Sequence, residues 1–303
     1  MPPSGAADIP PPSGELTPLS GVVRGYGLDA RKSLGQHFLL DANLIARIAR
    51  QAGDLDGRHV VEVGPGPGGL TRALLDTAAT TITAVEVDRR AVRAITELQT
   101  HHPDRLRILE ADALALDLAG LVPAPRQIIA NLPYNIGSPL LVGWLRQASQ
   151  WERLTLMFQQ EVAERICAAP DTDGYGRLGV LAQWVAHCEF RLRVPPQAFS
   201  PPPKVFSAVV VITPHTEQPS STLFRAMERV TAAAFGQRRK MLRGSLKSIG
   251  GEALLARVGI DGARRAETLT VAEFDALARA LTAREPHATS SAVSPNDDGD
   301  SAA

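Results

Sequence analysis

The sequence predicts an α/β fold: a doubly wound, mainly parallel sheet followed by a small all-helical C-terminal domain. Three observations predict it. Short apolar runs of strand length alternate with segments of helical periodicity between residues 42 and 188. The first run opens into a glycine-rich loop, Gly64-Pro65-Gly66-Pro67-Gly68-Gly69, and then a helix. From about Ser220 the strand pattern stops and the chain reads as helices with a basic cluster.

Composition sets the outer limits. With 303 residues, 44% hydrophobic and 21% charged, the chain has room for one large core and a smaller module. Formal net charge is zero, so a nucleic-acid surface has to be local. Two cysteines, Cys167 and Cys188, fit a reducing compartment without a disulfide framework. Seven scattered histidines and the absence of CxxC or HExxH pairs give no metal site to expect. No apolar run is long enough to span a bilayer, and no basic-then-apolar leader pattern opens the chain, so the expected location is cytoplasmic.

Residues 1–30 are rich in Pro, Gly and Ser and are expected to be mostly disordered, as is the tail 286–303. Between them the reading divides the chain into a larger α/β domain, 31–218, and a separate small helical domain, 219–285. Order is expected from about Arg31. Asp41 caps a helix with Leu44, Ile45, Ile48 and Ala49 on one face. Strands follow at His59–Val63, Thr81–Asp88, Leu106–Glu110, Gln127–Ala130 and Leu154–Phe158, the second trailed by a helix through Leu98. Helices are expected around 160–168 and 178–188. Two last strands, Glu189–Val194 and Ser207–Thr213, flank a proline-rich loop and should pair antiparallel. Trp144, Trp151 and Trp184 are read as core.

The chemistry gathers at strand ends. Gly64-x-Gly66-x-x-Gly69 matches the dinucleotide fingerprint, and Glu86 stands 22 residues after Gly64, where a ribose-binding carboxylate belongs. This allows NAD, FAD or S-adenosylmethionine, or a structural turn with a surface Glu. Asp112 ends the third strand on the same sheet edge; it is either an acceptor for an adenine amino group or a helix cap. Asn131-Leu132-Pro133-Tyr134 follows the fourth strand. Pro133 fixes its own φ and holds Leu132 extended. The Asn131 side-chain carbonyl and the Leu132 main-chain carbonyl then suit a flat group bearing an NH2, with Tyr134 as an aromatic face. The plain alternative is a strand-to-helix turn. No hydride-transfer acid or base set stands beside these residues, and a sulfonium methyl donor needs none.

Taken together, the motifs resemble the ribosomal RNA adenine N6-dimethyltransferases, and among them the small-subunit type whose loss gives kasugamycin resistance. The resemblance runs from about Arg31 to Leu281. It rests on Leu34-Gly35-Gln36-His37-Phe38-Leu39, Glu62-Val63-Gly64-Pro65-Gly66 and Asn131-Leu132-Pro133-Tyr134-Asn135-Ile136. Phe199-Ser200-Pro201-Pro202-Pro203-Lys204-Val205, Ala234-Phe235-Gly236-Gln237-Arg238-Arg239-Lys240 and Arg265-Ala266-Glu267 complete it. It implies a Rossmann-like, S-adenosylmethionine-dependent methyltransferase sheet of seven strands and a monomer. The implied reaction moves four methyl groups to two adjacent adenosines in the 3′-terminal hairpin of 16S rRNA in the small ribosomal subunit. The implied cofactor contacts are His37, Leu39, Gly64, Glu86, Asp112 and Asn131. Two positions depart from the family: His37 replaces the usual Asn, and Gly137 the usual Ser after Asn135-Ile136.

Read as catalytic residues, Asn131, Leu132, Pro133 and Tyr134 would align a flipped adenine, and Phe199 in its proline-rich loop would stack on the second face. The competing reading of Phe199 is a hydrophobic plug. Arg31, Lys32, Lys204, Arg238, Arg239, Lys240, Arg243 and Lys247 are candidate RNA contacts, with Arg239, Arg243 and Lys247 at helical spacing on one face. A solvated helix face explains such a run equally well. The rival functions are a large-subunit dimethyltransferase of macrolide-resistance type, a DNA adenine methyltransferase, a non-catalytic ribosome assembly factor and, last, a nicotinamide oxidoreductase.

Overall fold

The computed structural model describes residues 16–28, 37–237 and 239–283. Five parallel strands form the first part of the sheet: β2 (His59–Val63), β3 (Thr81–Glu86), β4 (Leu106–Glu110), β5 (Arg126–Asn131) and β6 (Arg153–Gln159). Two more strands, β7 (Ala186–Val194) and β9 (Ser207–Pro214), close it on one side, β9 running antiparallel to both neighbours. The order is β4-β3-β2-β5-β6-β9-β7, so the direction of winding reverses between β2 and β5. That reversal opens the crevice at the carboxyl ends of the strands where ligands bind in such sheets. The antiparallel end follows from the short connection between β7 and β9, which leaves no room for a crossover helix.

Helices α2 (Ala42–Ala49), α3 (Gly69–Leu75) and α4 (Arg89–His101) belong to the first half, and α5 (Gly137–Arg146), α6 (Gln160–Cys167) and α7 (Arg177–Val185) to the second. Asp41 caps α2 as its position predicts, accepting from the amides of Asn43 and Leu44 at 2.9 and 3.1 Å. Its buried face is Leu44, Ile45, Ile48 and Ala49. The expected helix over 178–188 is shorter, because the chain passes into β7 at Ala186.

Three expectations are corrected. The first is disorder through residue 30. Within the described stretch 16–28, helix α1 (Leu19–Gly25) is formed, and Val22 and Leu28 are buried against Phe38, Ala91 and Ala94. Arg90 ties this segment to α4 by donating to the Gly27 carbonyl. Low hydrophobicity averaged over the extension hid two apolar residues with a docking site on α4. The remaining residues of 1–30, and 286–303, lie outside the described residues.

The second is the separateness of the helical module. Ser220 caps α8 (Ser221–Phe235). Short α9 (Leu242–Ser245), α10 (Gly251–Arg257) and α11 (Val271–Thr282) follow. Yet a single continuous apolar cluster runs from Val61 in the sheet to Leu281 in α11. Trp184 marks the seam: unlike buried Trp144 and Trp151 it is half-buried, and its indole donates to Asp275 of α11 at 3.0 Å. The module therefore completes the core of the body on which it sits.

The third is the basic face. Arg239 lies in the turn after α8, Arg243 in one-turn α9 and Lys247 in a 3-10 turn, so no single helix carries all three. Extended backbone at Met241 breaks the spacing.

Candidate active site

The glycine loop, β3, β4 and β5 deliver their ends to one pocket. His37, Gly64, Glu86, Asp112, Asn131, Leu132, Pro133 and Tyr134 all line it, in a cavity of about 210 Å³. Eight residues expected from separate motifs are thus brought together, and the sheet reversal between β2 and β5 explains why.

Gly66 shows how tight the loop is. Its φ is +55°, and a side-chain carbon there would stand 2.9 Å from the Phe38 ring. Glu86, buried under the loop, accepts from Gly66 N at 3.2 Å and from Val87 N and Asp88 N, both at 2.9 Å. Burial pushes its carboxyl above the usual range, and these three amides oppose that. A carboxylate has about four lone-pair sites, so about one is left for a ribose hydroxyl, fewer than a bond to each hydroxyl would need. Asp112 caps no helix: its Oδ1 accepts from Leu114 N at 2.9 Å in a local turn, and the residue lines the pocket.

Four apolar residues of the pocket had not been singled out as cofactor or substrate contacts: Phe38, Val87, Leu114 and Ile136. Val87 and Leu114 are 62% and 49% exposed, an unusual state for residues beside buried strands, and they flank the space beside Glu86 and Asp112. Their place directly after Glu86, and two residues after Asp112, was the available signal. Two apolar side chains and a carboxylate fit the flat adenine end of a nucleoside cofactor.

At the other end, Asn131 Nδ2 donates to the His37 carbonyl at 3.4 Å, and among the described residues its carbonyl oxygen has no donor. The Pro133 carbonyl receives the amides of Ile136 and Gly137 and so closes the turn into α5. The Tyr134 hydroxyl is held by Ser207 Oγ at 2.8 Å, and burial raises its pKa. The His37 ring lies 5.4 Å from that of Tyr134, while its Nδ1 meets the Pro201 carbonyl at 2.9 Å.

Two expected contacts are placed elsewhere. Leu39 is 6% exposed with its side chain in the core; only its carbonyl approaches the loop, 3.2 Å from where a Gly69 side chain would start. Phe199 is 4% exposed and does not line the pocket. It pairs with Leu39 in a two-stranded ribbon of β1 (Phe38–Leu39) and β8 (Phe199–Ser200), and its ring meets His37 edge-on at 6.4 Å. The plug reading of Phe199 is the one this geometry favours: the ribbon turns the ring inward, and the prolines that argued for a loop only flank it.

Lys204, Arg239, Lys240, Arg243 and Lys247 are exposed. Arg31, Lys32 and Arg238 lie outside the described residues. Among the described residues no group of His, Cys, Asp and Glu is placed to hold a metal, and no helix is long and apolar enough to cross a membrane.

The ribosomal RNA adenine dimethylase family matches residues 27–283. Ribosomal RNA small subunit methyltransferase A of Gluconobacter oxydans is 67% identical over 275 residues, covering 89% of this chain and 91% of that protein. The protein of the same description from Sinorhizobium medicae is 56% identical over 269 residues, covering 88% and 98%. Among solved structures, a dimethyladenosine transferase from Plasmodium falciparum shares the fold with a TM-score of 0.66 at 24% identity, over 80% of this chain and 96% of that one. The 23S rRNA methyltransferase ErmE has a TM-score of 0.59 at 29% identity, over 80% and 99%.

Proposed function

Because the chain belongs to the ribosomal RNA adenine dimethylase family, we propose that it dimethylates the N6 amino groups of two adjacent adenosines in the 3′-terminal hairpin of 16S rRNA. It is a methyltransferase, and its methyl donor is S-adenosylmethionine. The small-subunit target rests on relatives described as small subunit methyltransferases that match most of this chain. The large-subunit alternative is not favoured, since the ErmE likeness is far weaker. The finer reading is a monomer that works in the cytoplasm on assembling small subunits.

The observation that carries the chemistry is the orientation of Asn131. With its amide nitrogen engaged by the His37 carbonyl, its oxygen is the group turned to an incoming donor. The adenine amino nitrogen is a weak nucleophile because its lone pair is delocalised into the ring. Asn131 Oδ1 and the Leu132 carbonyl, accepting its two hydrogens, favour a pyramidal nitrogen and stabilise the positive charge that develops on it. Pro133 keeps the two acceptors in a fixed relation, so alignment costs little at the moment of reaction. S-adenosylmethionine, when bound, supplies an activated methyl group on a sulfonium. Glu86, Asp112, Val87 and Leu114 would hold its nucleoside, and the Gly64–Gly66 backbone gives it room. The protonated amine formed is acidic enough to lose its proton to water, so no strong base is needed. A target base leaves its stack to enter, and Tyr134 offers it one aromatic face. Exposed Lys204, Arg239, Lys240, Arg243 and Lys247 supply phosphate contacts that weaken as salt rises.

The test is methyl transfer from labelled donor to unmethylated small subunits, unmethylated large subunits and duplex DNA, with digestion to nucleosides. N6,N6-dimethyladenosine in small subunits alone, lost in Asn131→Ala, is the expected result. Label in large subunits instead would reassign the target, and donor binding without transfer to any substrate would leave an assembly factor.

A further inference from the structure

We propose that helix α1 is part of the methyl-donor site: it backs the glycine loop and the Phe38 ring, so that its docking and the binding of S-adenosylmethionine strengthen one another. The proposal rests on the donor assignment and deepens it. Helix α1 (Leu19–Gly25) lies ahead of residues 27–283, which match the family, so its role has to be read from its own contacts.

The helix is stopped by local sequence. Gly27, at φ +57°, takes the left-handed conformation that favours glycine. The Leu28 amide reaches back to the Val23 carbonyl at 2.9 Å, and the Gly27 amide to the Arg24 carbonyl at 3.2 Å. This paired closure turns the chain and carries Leu28 into the cluster that buries Val22, with Val23 packed against it. Yet seven residues are too few to hold a helix in water, where even ~12–15 are marginal. Helix α1 therefore exists by docking.

Three contacts lead from it to the donor pocket. Val22 and Leu28 share an apolar cluster with Phe38, which lines the pocket and whose ring leaves no room for a side chain at Gly66. Leu19 packs at the other end of the loop, its Cδ1 3.3 Å from where a side chain at Gly69 would start. The third contact is polar. Arg90 donates to the Gly27 carbonyl and to both carboxylate oxygens of Asp88, at 3.1 and 2.7 Å. The Asp88 amide in turn donates to Glu86 at 2.9 Å. The Arg90 and Asp88 side chains are only 18% and 8% exposed, so solvent screens the pair little.

Helix α1 thus holds the loop from behind at Gly66 and Gly69 and steadies the turn that carries Glu86. None of its residues lines the pocket, so these are positioning contacts. A donor that fills the pocket fixes Phe38 and the loop, which completes the surface on which α1 docks. With α1 undocked, the same groups have to be ordered at the donor's expense. Two binding events coupled in this way change each other's affinity by the same factor.

The experiment uses the full chain and S-adenosylmethionine without RNA. Val22→Asp puts a carboxylate into the apolar cluster and should undock α1, seen as fast amide hydrogen exchange from Val22 to Leu28. Its donor Kd, measured by calorimetry, should rise about tenfold, within the ~5–150-fold usual for coupled sites. Leu19→Ala, which thins the contact at Gly69 alone, should raise it a few-fold. KM for the donor should follow, while kcat at saturating donor and KM for small subunits hold. In the wild type, saturating donor should slow exchange in α1 by a similar factor, a readout that needs no variant. A helix that serves stability alone would lower the melting temperature of Val22→Asp and leave donor Kd unchanged, which would overturn the proposal. Donor binding to the wild type that leaves α1 exchange unmoved would overturn it as well. A wild type without donor affinity would overturn it together with the donor assignment.

Discussion

The rings of His37 and Tyr134 face one another across the mouth of the active site, centroids 5.4 Å apart and planes inclined by 31°. The imidazole is held there by the Pro201 carbonyl at 2.9 Å and by the edge of Phe199. An adenine that stacks on this side of Tyr134 has to displace it. The family's usual Asn carries no ring to displace. His37→Asn should therefore raise kcat/KM for small subunits several-fold, the size of an aromatic contact of about 0.5–1.5 kcal/mol. Donor affinity, measured by calorimetry, should hold; if it falls instead and kcat/KM does not rise, His37 serves the cofactor.

Phe199→Ala should behave as a core mutation. A buried Phe replaced by Ala costs about 3–5 kcal/mol, and here it also loosens the ribbon that positions His37. Melting temperature and turnover should fall together. A large loss of turnover at an unchanged melting temperature would restore the stacking role that the sequence suggested.

Glu62 makes stability depend on pH. It is buried, and burial, reinforced by the Glu86 carboxylate and only partly opposed by Thr71, pushes its pKa up to about 8. Between about 4.5, the ordinary value, and about 8, the folded protein keeps a proton that the unfolded chain has released. Folding is thus progressively disfavoured as pH rises through that window and levels off above it. Glu62→Gln should remove this loss, gaining on the wild type by a few kcal/mol at most between pH 5 and 8 in denaturant titrations. Parallel pH profiles for the two proteins would show that Glu62 ionises without cost.

Gly137 has its own packing reason. A side-chain carbon there would stand 3.1 Å from the Phe158 ring and 3.5 Å from Leu132. Gly137→Ser should cost about 1 kcal/mol by overpacking. Adding Phe158→Leu should make the pair less damaging than the sum of the single changes in a double-mutant cycle. Strict additivity would mean that the ring yields freely.

The sequence by itself determined the sheet's first five strands, the glycine loop, the strand-end carboxylates and Asn131-Leu132-Pro133-Tyr134. These are legible because each is local: alternation of apolar runs, a turn that demands glycine, and a proline that fixes its neighbour. Only the tertiary structure decided which groups stand beside the reacting base. His37 reaches Pro201 across 164 residues and Asn131 reaches His37 across 94, contacts that no local spacing encodes. The same holds for Phe199, turned inward by pairing with Leu39, and for α1, ordered by Ala91 and Ala94. Local propensity fixes elements, whereas burial, which depends on distant partners, fixes what each side chain faces.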